Sequence, residues 1–259
     1  MTIAVIIPAR YESTRFPGKP LAKINGKRMV EWVINAALES RFANKVIVAT
    51  EDERIYKFVS ELTQSTSKTL EVCITSKEHK CGTDRLVEVI KNNPDIQYIV
   101  NVQGDEPLMP STYIDKVIEK LNDGENVVSL ISPLTYISEL NDPNIVKVVL
   151  DKDSYALYFS RAPIPFDRDS IPKLQPSVFS SGIYFRHIGI YGYTRDALLQ
   201  FSILPTSSLE AIEQLEQLRF LENGIKIKLE LVPQVFPAVD RPEDIKTVER
   251  ILNSSKTII

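Results

Sequence analysis

The sequence predicts an α/β fold, a mostly parallel sheet with helices on both faces, from three observations. Short β-branched apolar runs recur along the chain. Segments between them carry apolar residues at i, i+3, i+4 and i+7, the spacing of a buried helix face. The runs are apolar almost throughout rather than alternating, as strands covered on both faces are.

Taken in order, "IAVII" (3–7) is the first strand, and Val30, Val33, Ile34 and Ala37 mark the first helix after a polar loop. "KVIVAT" (45–50), "EVCIT" (71–75) and "YIVNVQ" (98–103) are the next strands. Ile114, Val117, Ile118 and Leu121 repeat the helical spacing. "VVSLI" (127–131), "IVKVVL" (145–150), "HIGIYGY" (187–193) and "KIKLELV" (226–232) complete the strands. Ser207 and Glu210 form a capping box ahead of a helix carrying Ile212, Leu215 and Leu218. A last helix is expected from near Pro242, a residue favoured at the first helical position. The segment from Arg161 to Arg186 is rich in Pro and Ser and breaks the rhythm. Loops this long in a compact domain are usually functional. A lid, an oligomerisation arm and a surface excursion all remain open for it. No repeat or linker interrupts the chain, so 1–259 reads as a single domain.

With 259 residues, 43% hydrophobic and 25% charged, the chain can bury a substantial core. A net charge of −3 gives no basic footprint, so nucleic acid is not an expected partner. No apolar run reaches the roughly 18 residues of a membrane span, and no secretory pattern precedes the first strand. Cys73 and Cys81 are too few for a disulfide framework and suit a reducing cytoplasm. A cytoplasmic, soluble protein is expected.

Ligands of open α/β sheets collect beyond the carboxyl ends of the strands. "PARYESTRFPGKP" (8–20) leaves the first strand there, carrying Arg10, Arg15 and Lys19. It has neither a G-x-G-x-x-G nor a P-loop spacing. Arginines fork onto phosphate oxygens and lysine adds a point charge, although a merely solvated loop reads equally well from this segment alone. "NVQGDEP" (101–107) ends another strand with Gln103, Gly104, Asp105 and Glu106. A carboxylate there suits a hard cation that also touches phosphates; a simple turn is the alternative. "HKCGTDR" (79–85) opens a helix at Gly82 or Thr83, whose terminal amides attract anions. His79 and Cys81 have no second Cys/His pair at metal-ligand spacing, so zinc is not expected. Cys81 has no identified base and is not a candidate nucleophile. In "VDRPED" (239–244), Asp240 with Glu243 resembles a capping box, the better reading of those residues alone.

Together "IPARYESTRFPGKPL", "HKCGTDRL", "NVQGDEPL", "ALYFSRAPIPFDRD", "RHIGIYGY", "LEQLR" and "VDRPEDI" resemble the cytidylyltransferases that activate 3-deoxy-manno-octulosonate (Kdo), collinearly from about residue 3 to 252. The resemblance implies a nucleotide-diphospho-sugar transferase fold with an extended arm or lid, and 161–193 as a sugar-site and dimerisation segment. It implies a homodimer and a magnesium-dependent reaction of CTP with Kdo, giving CMP-Kdo and pyrophosphate for lipopolysaccharide. By motif, Arg10, Ser13, Arg15 and Lys19 would grip the phosphates, with Pro8 and Ala9 beside them. His79, Gly82, Thr83 and Gln103 would surround cytosine and ribose. Asp105 and Asp240 would hold magnesium, which moves Asp240 from cap to ligand. Arg161, Arg168, His187, Tyr191, Glu216 and Gln217 would surround the sugar acid. Cys81, Phe166 and Arg241 depart from the expected serine, tryptophan and threonine, and 170–186 is longer than usual. The 8-amino analogue of Kdo is therefore an alternative substrate. A glycosyltransferase of related fold is a second reading, against which stand the missing Asp-x-Asp motif and the cationic loop.

Overall fold

In the computed structural model, "TIAVIIP" forms β1 (Thr2–Pro8), buried at every position after the first. Residues 2–63, 69–79, 82–168 and 182–255 are described. The chain divides into two compact units, Met1–Glu119 with Phe236–Ile259, and Lys120–Val235.

In the first unit a 3-10 turn (Lys19–Leu21) and a short hairpin, β2 (Lys23–Ile24) and β3 (Lys27–Arg28), follow β1. Then come α1 (Met29–Glu39), β4 (Lys45–Thr50), α2 (Glu53–Thr63), β5 (Thr69–Ile74), α3 (Gly82–Asn92), β6 (Ile96–Asn101) and α4 (Ser111–Asn122). β1 pairs in parallel with β4 and with β6, and β4 with β5, giving the order β6-β1-β4-β5. The chain steps outward from β1 to β4 to β5, then returns past β1 to β6. Right-handed crossovers therefore put α1 and α2 on one face and α3 on the other. The reversal falls between β1 and β6. Such a switch point opens a ligand crevice beyond the strand ends.

The second unit carries β7 (Val127–Pro133), α5 (Ile137–Asn141), β8 (Lys147–Leu150), β9 (Ala156–Ser160) and β10 (Phe185–Thr194). It continues with α6 (Arg195–Ile203), α7 (Ser208–Glu213), α8 (Leu218–Glu222) and β11 (Lys228–Leu231). β10 runs antiparallel to β7 and β8, β8 antiparallel to β9, and β11 parallel to β7. The α/β class holds, and the uninterrupted parallel pairing belongs to the first unit. Strand β9 was not expected. "DKDS" makes its turn: the Asp151 carboxylate accepts from Asp153 N–H at 2.9 Å and Tyr155 N–H at 2.8 Å, with Ser154 at φ 63°.

The helix expected through Ile212, Leu215 and Leu218 is corrected. Gln214 turns left-handed (φ 53°, ψ 50°) and ends α7, so Leu218 begins α8 and Ile212 is exposed. Its N-terminus stands as expected, with Glu210 accepting from Ser207 N–H at 3.1 Å. Phe236–Ile259 returns to the first unit with α9 (Asp244–Ser255). Much of the proline- and serine-rich stretch, 169–181, lies outside the described residues. Among the described residues no helix is long and apolar enough to cross a membrane.

Ile24, Met29, Val239 and Val248 form a buried cluster onto which Phe16, Trp32 and Leu108 pack. It draws the loop after β1, the loop after β6 and the 239–248 segment together. Close approach at the switch point depends on Gly104, where a Cβ would lie 2.8 Å from the Pro8 carbonyl oxygen. Backbone cannot yield as a flexible side chain does, so Gly104→Ala is expected to destabilise the protein by about 1–3 kcal/mol, the usual cost of overpacking. Urea unfolding measures it; an unchanged midpoint contradicts the close approach.

Candidate active site

Pro8, Ala9, Arg10, Ser13, Arg15, Lys19, Gly82, Gln103 and Asp105 line one cavity of about 440 Å³ at the switch point. Local hydrogen bonds shape its loops. Ala9 N–H donates to the Ala49 carbonyl at 2.9 Å, and Gly18 N–H to the Tyr11 carbonyl at 2.8 Å. Gly18 sits at φ 72°, a conformation glycine adopts without strain, and its Cα faces the Tyr11 ring. Ser13 Oγ accepts from Phe16 N–H at 3.4 Å. After β6, Glu106 N–H donates to Gln103 at 3.2 Å, turning the chain so that Asp105 faces the cavity. Val239 N–H donates to the Asp105 carbonyl at 2.9 Å, which brings Asp240 alongside.

The charges converge. Lys19 Nζ lies 2.6 Å from Asp105 Oδ2 and 3.7 Å from Asp240 Oδ1, and Arg15 Nη2 lies 3.3 Å from the same Asp240 oxygen. Lys19 is 13% exposed and Arg15 59% exposed. Water screens the arginine pair, so its contribution is small and it is easily exchanged for another anion. The capping reading of Asp240 is overturned. Its carboxylate faces Arg15 and Lys19, while Asp244 caps the segment by accepting from the N–H groups of Asp240 at 2.9 Å and Arg241 at 2.8 Å. Glu106 is pushed up to about 8 by burial and then by the charge of Asp105, so it is neutral at pH 7.

A neighbouring cavity of about 160 Å³ is lined by Arg10, Glu12, Glu51, Asp52, Lys77, His79 and Arg85. Arg10 Nη2 donates to the His79 carbonyl at 3.3 Å, and the His79 ring pairs with Glu88. Thr83 is buried in the first turn of α3 rather than lining either cavity. Glu51 escaped the sequence-based candidates, although it directly follows β4 at the carboxyl end of the sheet.

The sugar candidates all belong to the second unit. His187 Nε2 is 2.9 Å from Ser129 Oγ, which also lies 2.7 Å from the Ile190 carbonyl and 3.1 Å from the Ile188 carbonyl. The ring packs 5.1 Å from Phe159 and 5.2 Å from Tyr191. Burial pulls the His187 imidazole down to about 3. Burial, then the charge of Glu216, pushes the Tyr191 phenol well up. Arg161 stands apart from this cluster in its bonding: Nε donates to the Glu213 carbonyl at 2.8 Å and Nη1 to the Pro143 carbonyl at 2.9 Å. Arg168 is exposed and Gln217 is buried at the head of α8. Burial raises the Cys73 thiol to about 11, which keeps it unreactive. Cys81 lies outside the described residues.

Among the described residues no group of three or more His, Cys, Asp or Glu is placed to hold a metal. Two hard carboxylates that already share one ammonium do fit magnesium, which takes one or two protein oxygens and completes its shell with water and phosphate.

A clamp of cations facing paired carboxylates at the switch point of a parallel sheet is the apparatus of nucleotidyl transfer. The cytidylyltransferase family matches residues 4–227. The 3-deoxy-manno-octulosonate cytidylyltransferase of Syntrophotalea carbinolica is 46% identical over 252 residues, covering 96% of this chain and 98% of its own. That of Thermodesulfovibrio yellowstonii is 42% identical, covering 98% and 99%. The solved structure of CMP:2-keto-3-deoxy-manno-octonic acid synthetase complexed with CTP superimposes with a TM-score of 0.88 at 35% identity, over 98% of this chain and all of that one. The chain belongs to the 3-deoxy-manno-octulosonate cytidylyltransferase family.

The His187 ring gives a prediction about stability. Folded, it stays neutral down to about 3, whereas an unfolded histidine takes its proton near ~6.5. Stability tied to the neutral ring is complete above the unfolded value and is lost as pH falls from there towards the folded one. The thermal midpoint should therefore drop between pH 7 and pH 5, and His187→Gln should flatten that drop. Parallel pH profiles for the two proteins would contradict the buried neutral ring.

Proposed function

We propose that the protein transfers CMP from CTP to the anomeric hydroxyl of Kdo, releasing pyrophosphate. The observation that carries this reading is the convergence of Arg15 and Lys19, which line the 440 Å³ cavity with Asp105, on the carboxylates of Asp105 and Asp240. The family's function and the CTP held by the similar structure support the choice of substrates.

The hydroxyl oxygen attacks the α-phosphorus, the bond to the β-phosphate breaks, and the hydroxyl proton leaves to solvent. Arg10 and Arg15 hold phosphate oxygens, and the largely buried Lys19 offsets charge that grows on them in the transition state. Ser13 and the Pro8–Ala9 backbone complete the phosphate contacts. Gln103, Gly82 and His79 position cytosine and ribose, with the buried Thr83 behind them in the first turn of α3. Magnesium, held by Asp105 and Asp240, would supply Lewis-acid stabilisation of the phosphoryl oxygens. His187, Tyr191, Glu216 and Gln217 take the sugar hydroxyls, with Arg161 and Arg168 as the family's remaining sugar residues. A neutral His187 serves as a hydrogen-bonding group, being too weak a base at pH 7 to remove the hydroxyl proton. The proposal extends to a cytoplasmic homodimer that serves lipopolysaccharide synthesis, with 161–193 in sugar binding and dimer contacts and 1–259 working as one nucleotidyltransferase domain. The exposed Phe166, where tryptophan is expected, keeps 8-amino-Kdo as a second substrate.

Pyrophosphate release from CTP with Kdo, 8-amino-Kdo and sialic acid tests the reading directly. Turnover with Kdo is expected, with UTP much poorer, because a site built for the cytosine amino group leaves polar groups unpaired on uracil. Equal turnover of CTP and UTP overturns the base assignment.

Asp240 and Asp244 make a sharper pair. Asp240→Asn should fold normally, since its carboxylate caps nothing, yet lose about a hundredfold or more in turnover, partly recovered at high magnesium. Asp244→Ala should instead lower stability by roughly 0.5–2 kcal/mol, as loss of a cap does. An Asp240→Asn enzyme with normal turnover and normal magnesium dependence removes the residue from the metal site.

A further inference from the structure

We infer that Glu51 is a positioning residue for this reaction: its carboxylate, balanced by the buried Arg85, sets the phosphate-binding loop and thereby places Lys19. The inference rests on the proposed CTP reaction. Glu51 Oε1 accepts from Tyr11 N–H at 3.0 Å, and Glu51 Oε2 lies 2.8 Å from Arg85 Nη2. Arg85 is 1% exposed and Glu51 11%. Arg85 is in turn held by Thr75 Oγ1, itself bonded to the Thr50 carbonyl at 3.2 Å. The pair is thus anchored in the ends of β4 and β5, the rigid side of the crevice.

From Tyr11 the hold passes to Lys19 through adjoining contacts. The Tyr11 carbonyl accepts Gly18 N–H at 2.8 Å, closing the loop. Its ring lies under the Arg54 guanidinium at 3.2 Å and against Gly18, where a Cβ would meet it at 3.0 Å. Gly18 is the residue ahead of the turn that begins with Lys19, and Lys19 reaches Asp105 at 2.6 Å. Arg10, on the other side of Tyr11, takes its backbone direction from the same bond. A loop that grips phosphate with side chains needs its backbone fixed from outside, and Glu51 does this from beneath. Glu51 also lines the smaller cavity beside Arg10.

Glu51→Ala removes both the acceptor for Tyr11 and the partner of Arg85, while Glu51→Gln keeps an oxygen for Tyr11. Glu51→Ala should raise the KM and Kd for CTP about tenfold or more and lower kcat, leaving the KM for the acid sugar within about twofold. Glu51→Gln should recover most of the CTP affinity. Combined with Lys19→Ala, Glu51→Ala should cost less than about threefold further in kcat/KM, because residues acting through one another are not additive. A residue with only a structural role would lower the thermal midpoint and the active fraction, leave both KM values alone and multiply fully with Lys19→Ala; that pattern overturns the inference. So does a wild-type CTP Kd in Glu51→Ala. Should Glu51→Ala fold poorly with Arg85 unpaired, Glu51→Asp keeps the charge on a shorter side chain. A raised CTP Kd at an unchanged midpoint then supports the role, and an unchanged Kd overturns it. A wild-type protein that binds CTP without transferring CMP refutes the proposed function alone; calorimetric CTP affinities of the variants still decide this point.

Discussion

The Lys19 ammonium, 2.6 Å from Asp105 and 3.7 Å from Asp240, is the point on which the first unit's functional architecture turns. Three segments distant in sequence supply the groups, and each arrives by a different device. A 3-10 turn presents Lys19, a turn after β6 presents Asp105, and a backbone bond from Val239 to Asp105 presents Asp240. Neighbouring carboxylates repel one another, and a cation between them offsets that repulsion. Lys19 is that cation, and its low exposure keeps the attraction from being screened away. The arrangement also sets what must come with a polyphosphate. Carboxylates facing phosphate repel it, so the proposed magnesium belongs to the electrostatics of the site as much as to its chemistry.

The sheet explains why these groups meet here. β1 is paired on both sides, by β4 and β6, and the chain reverses its direction of travel across the sheet at that strand. Loops leaving β1 and β6 are consequently neighbours, with no intervening connection to fill the space between them. Gly104 against the Pro8 carbonyl brings the two loops to backbone contact. The apolar cluster around Ile24, Met29 and Val239 binds the third segment to them. Fixed packing lies below and exchangeable ion pairs lie above, which suits a site that must release one charged ligand and accept another.

Much of this was legible because the relevant signals are local. The runs at 3–7, 45–50 and 127–131 are apolar enough to be strands in any context, and all three are. The charges after β1 and β6 could be placed at strand ends without knowing how strands pair. Where tertiary structure decides, the reading failed. Asp240 looks like a cap because capping residues and metal-binding carboxylates are the same residue types; only the direction of its side chain separates them. Leu215 and Leu218 keep helical spacing, yet a left-handed Gln214 breaks the helix between them. Glu51 was passed over because a lone acid beyond a strand carries no motif, and its partner Arg85 is 34 positions further along the chain, a separation no local pattern reports. Strand β9 and its antiparallel pairing with β8 follow from a turn whose Asp151 bonds are visible only once folded.

The second unit raises a different question, which is what carries charge towards an acid sugar. His187 is neutral, with Nε2 engaged by Ser129, so it offers hydrogen bonding and no cation. Arg161 has a full charge, but backbone carbonyls of Pro143 and Glu213 occupy its donors. The Pro143 bond is exposed to water, so giving it up costs little. On the proposed reading Arg161 and the exposed Arg168 serve the carboxylate, while His187 and Tyr191 serve hydroxyls. Burial and then the charge of Glu216 disfavour an anion at Tyr191. On the same reading the phenol keeps its proton and serves a sugar hydroxyl as a donor, so this part of the pocket works through neutral hydrogen bonds and not through charge.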